Sequence, residues 1–267
     1  MNSLCIDFGG TKTLVAALNN KGEIISKERF ETPEQYPDFI NILADTINEL
    51  PDKFEKGVMS VPGLIDQTSG TVIALGNRPW TNISLEQDVQ SKTNVSLSLL
   101  NDTRLAGLAE GRHLNGRYRR VLYITISTGI GIALTVNGEL VEALNDTEFG
   151  KMPIEVNGTM IPWEEVASGR VIAERYGRRA SDIHNPNIWK EISHTFLLGV
   201  APACAAFQPD AIVFGGGVGE QTEKFADFLM EKLIPTLHPV IKRPQALLPS
   251  HYGGDNVLYG CYEFSKV

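Results

Sequence analysis

The sequence predicts an α/β protein made of two related domains. Strand-like and helix-like segments alternate along the whole chain of 267 residues. A unit of strand, glycine turn, strand, turn and strand begins near Leu4 and begins again near Val121. We interpret the repeat as an internal duplication. Two such units facing each other would form a cleft lined by two glycine turns.

The composition favours a protein that acts on small molecules. The net charge is −8, whereas nucleic-acid binders usually carry a basic surface. The three cysteines, Cys5, Cys204 and Cys261, are far apart and have neither zinc-site spacing nor a disulfide pattern. No apolar run approaches the length of a membrane span, and the first residues lack the features of a signal peptide. We therefore expect a cytoplasmic protein with no membrane or nucleic-acid partner.

The first half of the chain contains six predicted strands and two predicted helices. Apolar alternation and turn signals place the strands at residues 4–8, 14–18, 23–30, 56–61, 71–75 and 95–100. Helical periodicity places the helices at residues 37–50 and 103–110. Gly111 follows the second helix, and we interpret it as the signal that ends this helix.

The second half repeats this pattern. The predicted strands are residues 121–126, 132–136, 139–141 and 210–214, and the predicted helices are residues 164–176, 189–207, 223–233 and 256–264. Asn137-Gly138 is a strong signal for a hairpin turn between two of these strands. Residues 145–163 are polar and rich in turn signals. Pro202 predicts that the helix over 189–207 kinks or ends early.

Three glycine turns follow predicted strands, at residues 9–11, 128–131 and 215–217. Backbone N–H groups in such turns can surround phosphate oxygens. None of the three matches a Walker A loop or a dinucleotide-binding fingerprint, so we expect neither a P-loop enzyme nor a Rossmann dehydrogenase. A single glycine turn is more often a plain turn, but three turns, two of them related by the duplication, favour a phosphate site.

Two carboxylates stand where ligands bind to α/β sheets. Asp102 follows the strand over 95–100, and the carboxyl ends of such strands line binding crevices. Its alternative role is that of a helix N-cap. Asp7 precedes the first glycine turn, where it either holds a hydrated Mg²⁺ through water or bonds the turn's backbone. A phosphate cradle, a carboxylate beside the metal and a base are the parts of a phosphoryl-transfer site.

The chain resembles the sugar kinases of the ROK family (repressor, open reading frame, kinase), within the actin/hexokinase-like superfamily. The matching segments run nearly end to end in the family's order and spacing. They are Ile6-Asp7-Phe8-Gly9-Gly10-Thr11-Lys12, Val61-Pro62-Gly63, Asn77 to Trp80, Leu100-Asn101-Asp102 with Ala106 and Glu110, Ser127-Thr128-Gly129-Ile130-Gly131, Thr147-Glu148-Phe149-Gly150, Glu164 with Ala167-Ser168-Gly169, and Val213-Phe214-Gly215-Gly216-Gly217-Val218.

The resemblance implies two actin-like ATPase domains, of the ribonuclease H-like type, around a central cleft. The first domain would comprise residues 1–103 and 256–267, with the first phosphate loop and the catalytic aspartate. The second, residues 104–255, would contain the second phosphate loop, the sugar-binding glutamates and the adenosine loop. ATP and Mg²⁺ would bind across the glycine turns. Family members are often homodimers.

The resemblance also implies roles for single residues. Asp102 would be the general base that deprotonates a sugar hydroxyl, and Asp7 would hold Mg²⁺ through water. The implied sugar-binding residues are Gly63, Asn77, Asn101, Asp102, Glu148, Lys151 and Glu164. The implied nucleotide-binding residues are Gly9, Gly10, Thr11, Lys12, Thr128, Gly129, Gly131, Gly216 and Gly217.

The chain departs from the family pattern in one segment. Family members usually have a histidine where Lys151 stands, followed by three zinc-binding cysteines, whereas residues 152–163 contain no cysteine. We therefore expect no structural zinc. Lys151 either pairs with Glu148 at the surface or lies in the sugar pocket. In the pocket it would change the hexose preference or favour a substrate with an anionic group, because an ammonium only donates hydrogen bonds.

Three alternative functions are to be weighed against a glucokinase-like enzyme. A DNA-binding repressor of this family would have a helix-turn-helix before the first strand, and here that strand begins within three residues of Met1. An inactive sugar-binding or regulatory protein has no reason to keep Asp7, Asn101 and Asp102. A polyphosphate-dependent glucokinase would need basic residues along an extended groove, for which the candidates are Arg117, Arg119 and Arg120. The sugar, the phosphorylated hydroxyl and the oligomeric state stay open.

Overall fold

The computed structural model describes residues 2–66, 69–76 and 78–266. Two units divide the chain: Met1–Ala109 with Asp255–Val267, and Glu110–Gly254. The first division falls inside a continuous helix, Asp102–His113, whereas the boundary predicted from the sequence lies between residues 103 and 104. The second falls at the turn that precedes the last helix, beside the predicted boundary at residues 255 and 256.

The first unit is built on a five-stranded mixed sheet and a small antiparallel sheet. Its strands are β1 (Ser3–Phe8), β2 (Lys12–Leu18), β3 (Ile24–Glu31), β4 (Lys56–Val61), β5 (Gly63–Asp66), β6 (Thr71–Leu75), β7 (Thr81–Ile83) and β8 (Ser96–Asn101), and its helices include α1 (Tyr36–Glu49), α2 (Leu85–Thr93) and the start of α3 (Asp102–His113). The large sheet has the order β3-β2-β1-β4-β8, and β5, β6 and β7 form the small one. The buried rings of Phe8, Phe39 and Trp80 pack together in the core.

The second unit is built on a second five-stranded sheet. Its strands are β9 (Arg120–Ile126), β10 (Ile130–Val136), β11 (Glu139–Leu140), β12 (Pro153–Val156), β13 (Thr159–Pro162), β14 (Ala211–Gly215) and β15 (Ala246–Pro249). Its helices are α4 (Glu164–Ala167), α5 (Gly169–Tyr176), α6 (Pro186–Phe207), α7 (Gly216–Gly219) and α8 (Ala226–Thr236), and α9 (Asn256–Phe264) belongs to the first unit. The sheet has the order β11-β10-β9-β14-β15, and β12 pairs with β13.

The two large sheets have the same plan. In each, an antiparallel meander of three strands is followed by two strands that run parallel to the meander's first strand. This equivalence supports the interpretation of the sequence as an internal duplication. The predicted hairpin turn between β10 and β11 is confirmed, because Asn137 and Gly138 have φ angles of 54° and 78°.

Several local predictions are wrong. Gly111 does not end α3; it lies inside the helix, where a Cβ atom would stand 2.1 Å from Thr135 Oγ1. The predicted helix over 164–176 is two helices, because Ser168 has extended backbone angles and accepts a hydrogen bond from the N–H of Val171. Of the two outcomes predicted for Pro202, a kink or an early end, the early end does not occur, because α6 continues to Phe207. The exposed side of the helix carries this proline, where water can solvate the carbonyl that loses its partner.

Other elements carry no prediction from the sequence. These are α2, β5, β7, β15, the short helix α7 and the β12–β13 hairpin. The hairpin turn has positive φ angles at Asn157 and Gly158, the same dipeptide as the predicted turn, so its signal is present in the polar segment 145–163. In the described part of the chain, no helix combines the length and the apolar character that a bilayer span requires.

Candidate active site

The carboxyl ends of three parallel strands bring the predicted residues of the first unit to one edge of its sheet. The strands β1, β4 and β8 lie side by side and run in the same direction. Asp7 is the penultimate residue of β1, Asn101 is the last residue of β8, and Asp102 is the first residue of α3. This edge is where open α/β sheets bind their ligands.

The carboxylate of Asp102 is oriented by the residue that follows it. Its Oδ1 accepts hydrogen bonds from Thr103 N–H at 2.7 Å and Thr103 Oγ1 at 3.4 Å. Asn101 Oδ1 accepts from the N–H groups of Thr103 at 3.0 Å and Arg104 at 3.4 Å. Asn101 therefore precedes α3 and makes N-cap contacts to its second and third residues. These contacts engage the amide oxygen of Asn101 and not its nitrogen.

Asp7 is hydrogen-bonded to Ser60 and has a raised pKa. Its Oδ1 accepts a hydrogen bond from Ser60 Oγ at 3.1 Å, and Ser60 Oγ accepts one from Phe8 N–H at 2.9 Å. Burial and the negative charge of Asp102 raise the pKa of Asp7 to about 6, although Ser60 and Lys12 oppose the rise. A divalent cation would relieve the repulsion between the two carboxylates, so this pair fits a hydrated Mg²⁺.

The first glycine turn presents unused backbone donors. Gly9 N–H donates to Lys12 O at 3.1 Å, and a Cβ atom on Gly9 would stand 2.7 Å from the same oxygen, so the tight turn requires glycine there. Among the described residues, neither Gly10 N–H nor Thr11 N–H donates to a protein acceptor. These two groups and the neighbouring Lys12 fit the oxygens of a nucleotide phosphate.

In the second unit, the turn between β9 and β10 lies against Glu164. A Cβ atom on Gly129 would stand 2.8 Å from Glu164 Oε2, and the same oxygen accepts a hydrogen bond from Ile130 N–H at 3.3 Å. Gly169 N–H donates to Ser127 O at 2.6 Å and ties the start of α5 to this turn. The predicted residue Gly129 therefore adjoins a predicted sugar ligand within this unit, and Thr128 and Gly131 are next to this contact in the sequence.

Lys151 connects the two predicted sugar-binding glutamates. Its Nζ lies 3.3 Å from Glu164 Oε1 and 3.6 Å from Glu148 Oε2. Gly150 makes this arrangement possible, because a Cβ atom there would stand 1.9 Å from Ile130 O. Burial lowers the pKa of Lys151, but Glu164 and Glu148 outweigh burial and raise it. Lys151 thus pairs with Glu148, as one of the two hypotheses states, and also with a second carboxylate beside the glycine turn.

The third glycine turn lies next to the second one. The strands β9 and β14 are parallel neighbours, and both turns follow their carboxyl ends. Gly216 has a φ of 73°, and a Cβ atom there would stand 2.6 Å from Ile126 O. A Cβ atom on Gly217 would have no heavy atom within 4 Å among the described residues. Gly216 is therefore a packing requirement, whereas Gly217 borders open space that suits a ligand.

Among the predicted sugar-binding residues, strand pairing explains one and another is not described by the structure. Gly63 begins β5, and a Cβ atom there would stand 2.1 Å from Ala74 O, so strand pairing explains this glycine. Asn77 lies outside the described residues. Conversely, Ser60 and Thr103, which hold the two carboxylates, are not among the predicted residues. A single serine in the apolar strand β4 is the only sequence signal for Ser60.

The described part of the chain contains no group of three or more His, Cys, Asp or Glu side chains placed to hold a metal ion. The absence of a structural zinc stays a prediction. A hydrated Mg²⁺ does not need such a group, because it keeps several water ligands and uses one or two carboxylates.

Comparison with known proteins decides the family. The ROK family matches residues 3–266. The chain belongs to the ROK family. A fructokinase from Streptococcus mutans is 26% identical over 270 residues, with 90% of each protein covered. An N-acetylmannosamine kinase from Vibrio cholerae is 25% identical over 299 residues, and both proteins are covered completely.

A solved structure supports the fold. The ROK family glucokinase from Streptomyces griseus, in complex with glucose and AMPPNP, superposes with a TM-score of 0.81 at 21% identity and covers 99% of both chains. The predicted family and the predicted α/β fold of actin-like ATPase type are confirmed.

Proposed function

We propose that this ROK protein is an ATP-dependent kinase that phosphorylates a hexose or a hexose derivative, with Asp102 as the general base. The observation that carries the proposal is the edge of the first sheet. There an oriented carboxylate follows β8, and a second carboxylate with a raised pKa and a turn with two unused N–H groups lie at the end of β1, with β4 between the two strands. These are the parts that phosphoryl transfer requires.

Each residue has a defined task in this proposal. Mg²⁺, when bound, would neutralise the charge that develops on the transferred phosphoryl group. Asp7 would hold the hydrated ion through water, and Gly10 and Thr11 would orient the phosphates with their N–H groups. Asp102 accepts the proton of the attacking sugar hydroxyl, which makes its oxygen a better nucleophile. A positioned base of this kind contributes roughly 10²- to 10⁴-fold in rate.

The carboxylates and amides proposed to bind the sugar are Asn101, Asp102, Glu148 and Glu164, together with Asn77 and the backbone at Gly63. Carboxylate oxygens accept hydrogen bonds from adjacent hydroxyls, which suits a polyol. Relatives named fructokinase, glucokinase and N-acetylmannosamine kinase support a hexose or an N-acylated hexosamine as the acceptor. A cytoplasmic location is part of the same proposal.

ATP is favoured over polyphosphate as the phosphoryl donor. The glucokinase complex with AMPPNP supports a nucleotide in this fold. The candidate polyphosphate residues Arg117, Arg119 and Arg120 precede or begin β9, whereas the second glycine turn follows the other end of this strand. Seven residues of extended chain separate the two ends by roughly 20 Å. The arginines therefore do not extend the phosphate-binding edge of this sheet.

The test is an ADP-release assay with ATP and Mg²⁺ over glucose, fructose, mannose, N-acetylmannosamine, N-acetylglucosamine and a sugar-free control. Sugar-dependent ADP release with at least one hexose is expected, together with a phosphorylated sugar by mass spectrometry. A parallel series with polyphosphate tests the donor. Sugar binding by calorimetry without turnover on any donor would favour the inactive regulatory protein instead.

A further inference from the structure

The side chains of Arg78 and Thr32 donate hydrogen bonds to backbone carbonyl groups of the first glycine turn. Arg78 Nη2 donates to Gly10 O at 2.6 Å and to Thr32 O at 2.7 Å. Thr32 Oγ1 donates to Gly9 O at 2.8 Å, and Thr32 N–H donates to Thr11 O at 3.0 Å. All of these residues belong to the first unit. The carbonyl groups of three successive turn residues are therefore fixed by contacts with Arg78 and Thr32.

Fixing a carbonyl also fixes the N–H group of the next residue. In a planar trans peptide, the C=O and N–H bonds point in opposite directions. Arg78 holds the carbonyl of Gly10, so the N–H of Thr11 points away from Arg78. Thr32 holds the carbonyl of Gly9, so the N–H of Gly10 points away from Thr32. These are the two N–H groups that have no protein acceptor among the described residues.

Described residues on both sides of Arg78 are held by hydrogen bonds. Trp80 is buried, its Nε1 donates to Glu34 O at 2.8 Å, and its ring packs on Phe39 with the centroids 5.3 Å apart. Gly76 N–H donates to Pro62 O at 3.0 Å on the other side of Arg78. Arg78 therefore contacts the turn from a position between anchored residues.

A purely structural role explains Arg78 poorly. Its Nε is buried and has no hydrogen-bond partner in the described part of the chain, and such an unsatisfied donor costs folding free energy. The contacts that offset this cost are the Nη2 hydrogen bonds, one of which goes to the glycine turn, and the Trp80 ring, whose centroid lies 6.0 Å from the guanidinium carbon. In this conformationally permissive turn, an uncontacted peptide would be free to rotate.

We propose that Arg78 is a positioning residue for nucleotide phosphates, and that it acts by holding the Gly10–Thr11 peptide so that Thr11 N–H faces the ligand. Thr32 acts in the same way: it holds the carbonyl of Gly9 and thereby orients Gly10 N–H. The inference rests on the proposed function, in which this turn binds ATP. Arg78 touches neither the sugar nor the phosphates in this role.

The test compares the parental protein with Arg78→Met, Arg78→Lys and Thr32→Val, and with Arg29→Met as a control on the exposed face of β3. Calorimetry gives the dissociation constant for AMPPNP with Mg²⁺, and separately for the best sugar. Arg78→Met should weaken AMPPNP binding about 10- to 100-fold, the range for the loss of one charge-assisted hydrogen bond. The sugar dissociation constant and the melting temperature should change little, and the control should match the parental protein.

The other two variants separate positioning from folding. Arg78→Lys keeps a charge and donors, so it should recover part of the lost affinity. Thr32→Val removes the bond to Gly9 O and should weaken AMPPNP binding as well. In amide-resolved NMR spectra, Gly10 and Thr11 should shift on AMPPNP binding in the parental protein and shift less in the variants. If Arg78→Met does not fold, Arg78→Lys and Thr32→Val carry the same test.

The outcomes distinguish the two proposals. A parental protein that binds AMPPNP but phosphorylates no sugar contradicts the proposed function, while the calorimetric series still tests Arg78. A folded Arg78→Met protein that binds AMPPNP with parental affinity overturns the inference alone. Equal losses of sugar and nucleotide affinity would also overturn it, because they would indicate a general structural role.

Discussion

Replacing Asp7 by asparagine should stabilise the ligand-free protein while it impairs nucleotide-dependent activity. The substitution keeps the shape of the side chain and an oxygen that can accept from Ser60 Oγ. It removes the negative charge that burial and Asp102 disfavour. Sites that bind a charged ligand are often unfavourable for folding before the ligand arrives.

The magnitude follows from the pKa of Asp7. A rise from the ordinary 3.8 to about 6 corresponds to roughly 3 kcal/mol, at 1.36 kcal/mol for each tenfold change in acidity. Because the folded protein has the higher pKa, the wild type loses this stability as the pH rises from about 4 to above 6. We expect Asp7→Asn to be more stable by about 1–3 kcal/mol at pH 7.5 and to gain nothing near pH 4.

The assay is urea unfolding followed by circular dichroism at pH 4, 5, 6 and 7.5, without Mg²⁺ or nucleotide. Asp45→Asn is the matched control, because Asp45 is exposed on α1 away from the glycine turn. An Asp7→Asn protein that is less stable than the wild type at pH 7.5 would refute the reasoning. So would a stability difference of the same size at every pH.

Three further predictions concern neighbouring features. Removing the charge of Asp102 by Asp102→Asn should lower the pKa of Asp7, measured by carboxyl ¹³C NMR titration, and an unchanged titration would show that the two carboxylates do not interact. Lys151→His should change the ratios of kcat/KM between hexoses by about tenfold and so alter their order, because Lys151 bridges two proposed sugar ligands. The control Lys190→His on α6 should leave the order unchanged. An unchanged order in Lys151→His places Lys151 outside the sugar pocket. Gly111→Ala should cost about 1–3 kcal/mol in urea unfolding, because its Cβ would overlap Thr135, whereas Gly254→Ala, which has open space, should cost much less.

Patterns that depend on nearby residues could be predicted from the sequence. Strand alternation located the parallel strand that ends at Asn101, and the repeated glycine turn revealed the duplication of the two sheets. The same local rules failed where packing overrides them. Gly111 follows an apolar helical pattern and is interpreted from the sequence as a helix stop, but glycine is required there because Thr135 of strand β10 approaches the helix closely.

Contacts between distant residues could not be read from the sequence. Arg78 reaches Gly10 across 68 positions, and Ser60 reaches Asp7 across 53. Neither pair has a motif spacing, because each depends on how strands and loops come together in the folded sheet. The family resemblance therefore names the candidate site residues, whereas the residues that hold them in place could not be predicted from the sequence.

The most direct test of the account is single-turnover phosphorylation of the preferred sugar by Asp102→Asn protein. The substitution keeps an oxygen that can accept from Thr103 N–H and removes the ability to take up the sugar's proton. We predict a rate lower by roughly 10²- to 10⁴-fold, with AMPPNP and sugar dissociation constants within a few-fold of parental values. Turnover at the parental rate would contradict the assignment of Asp102 as the base.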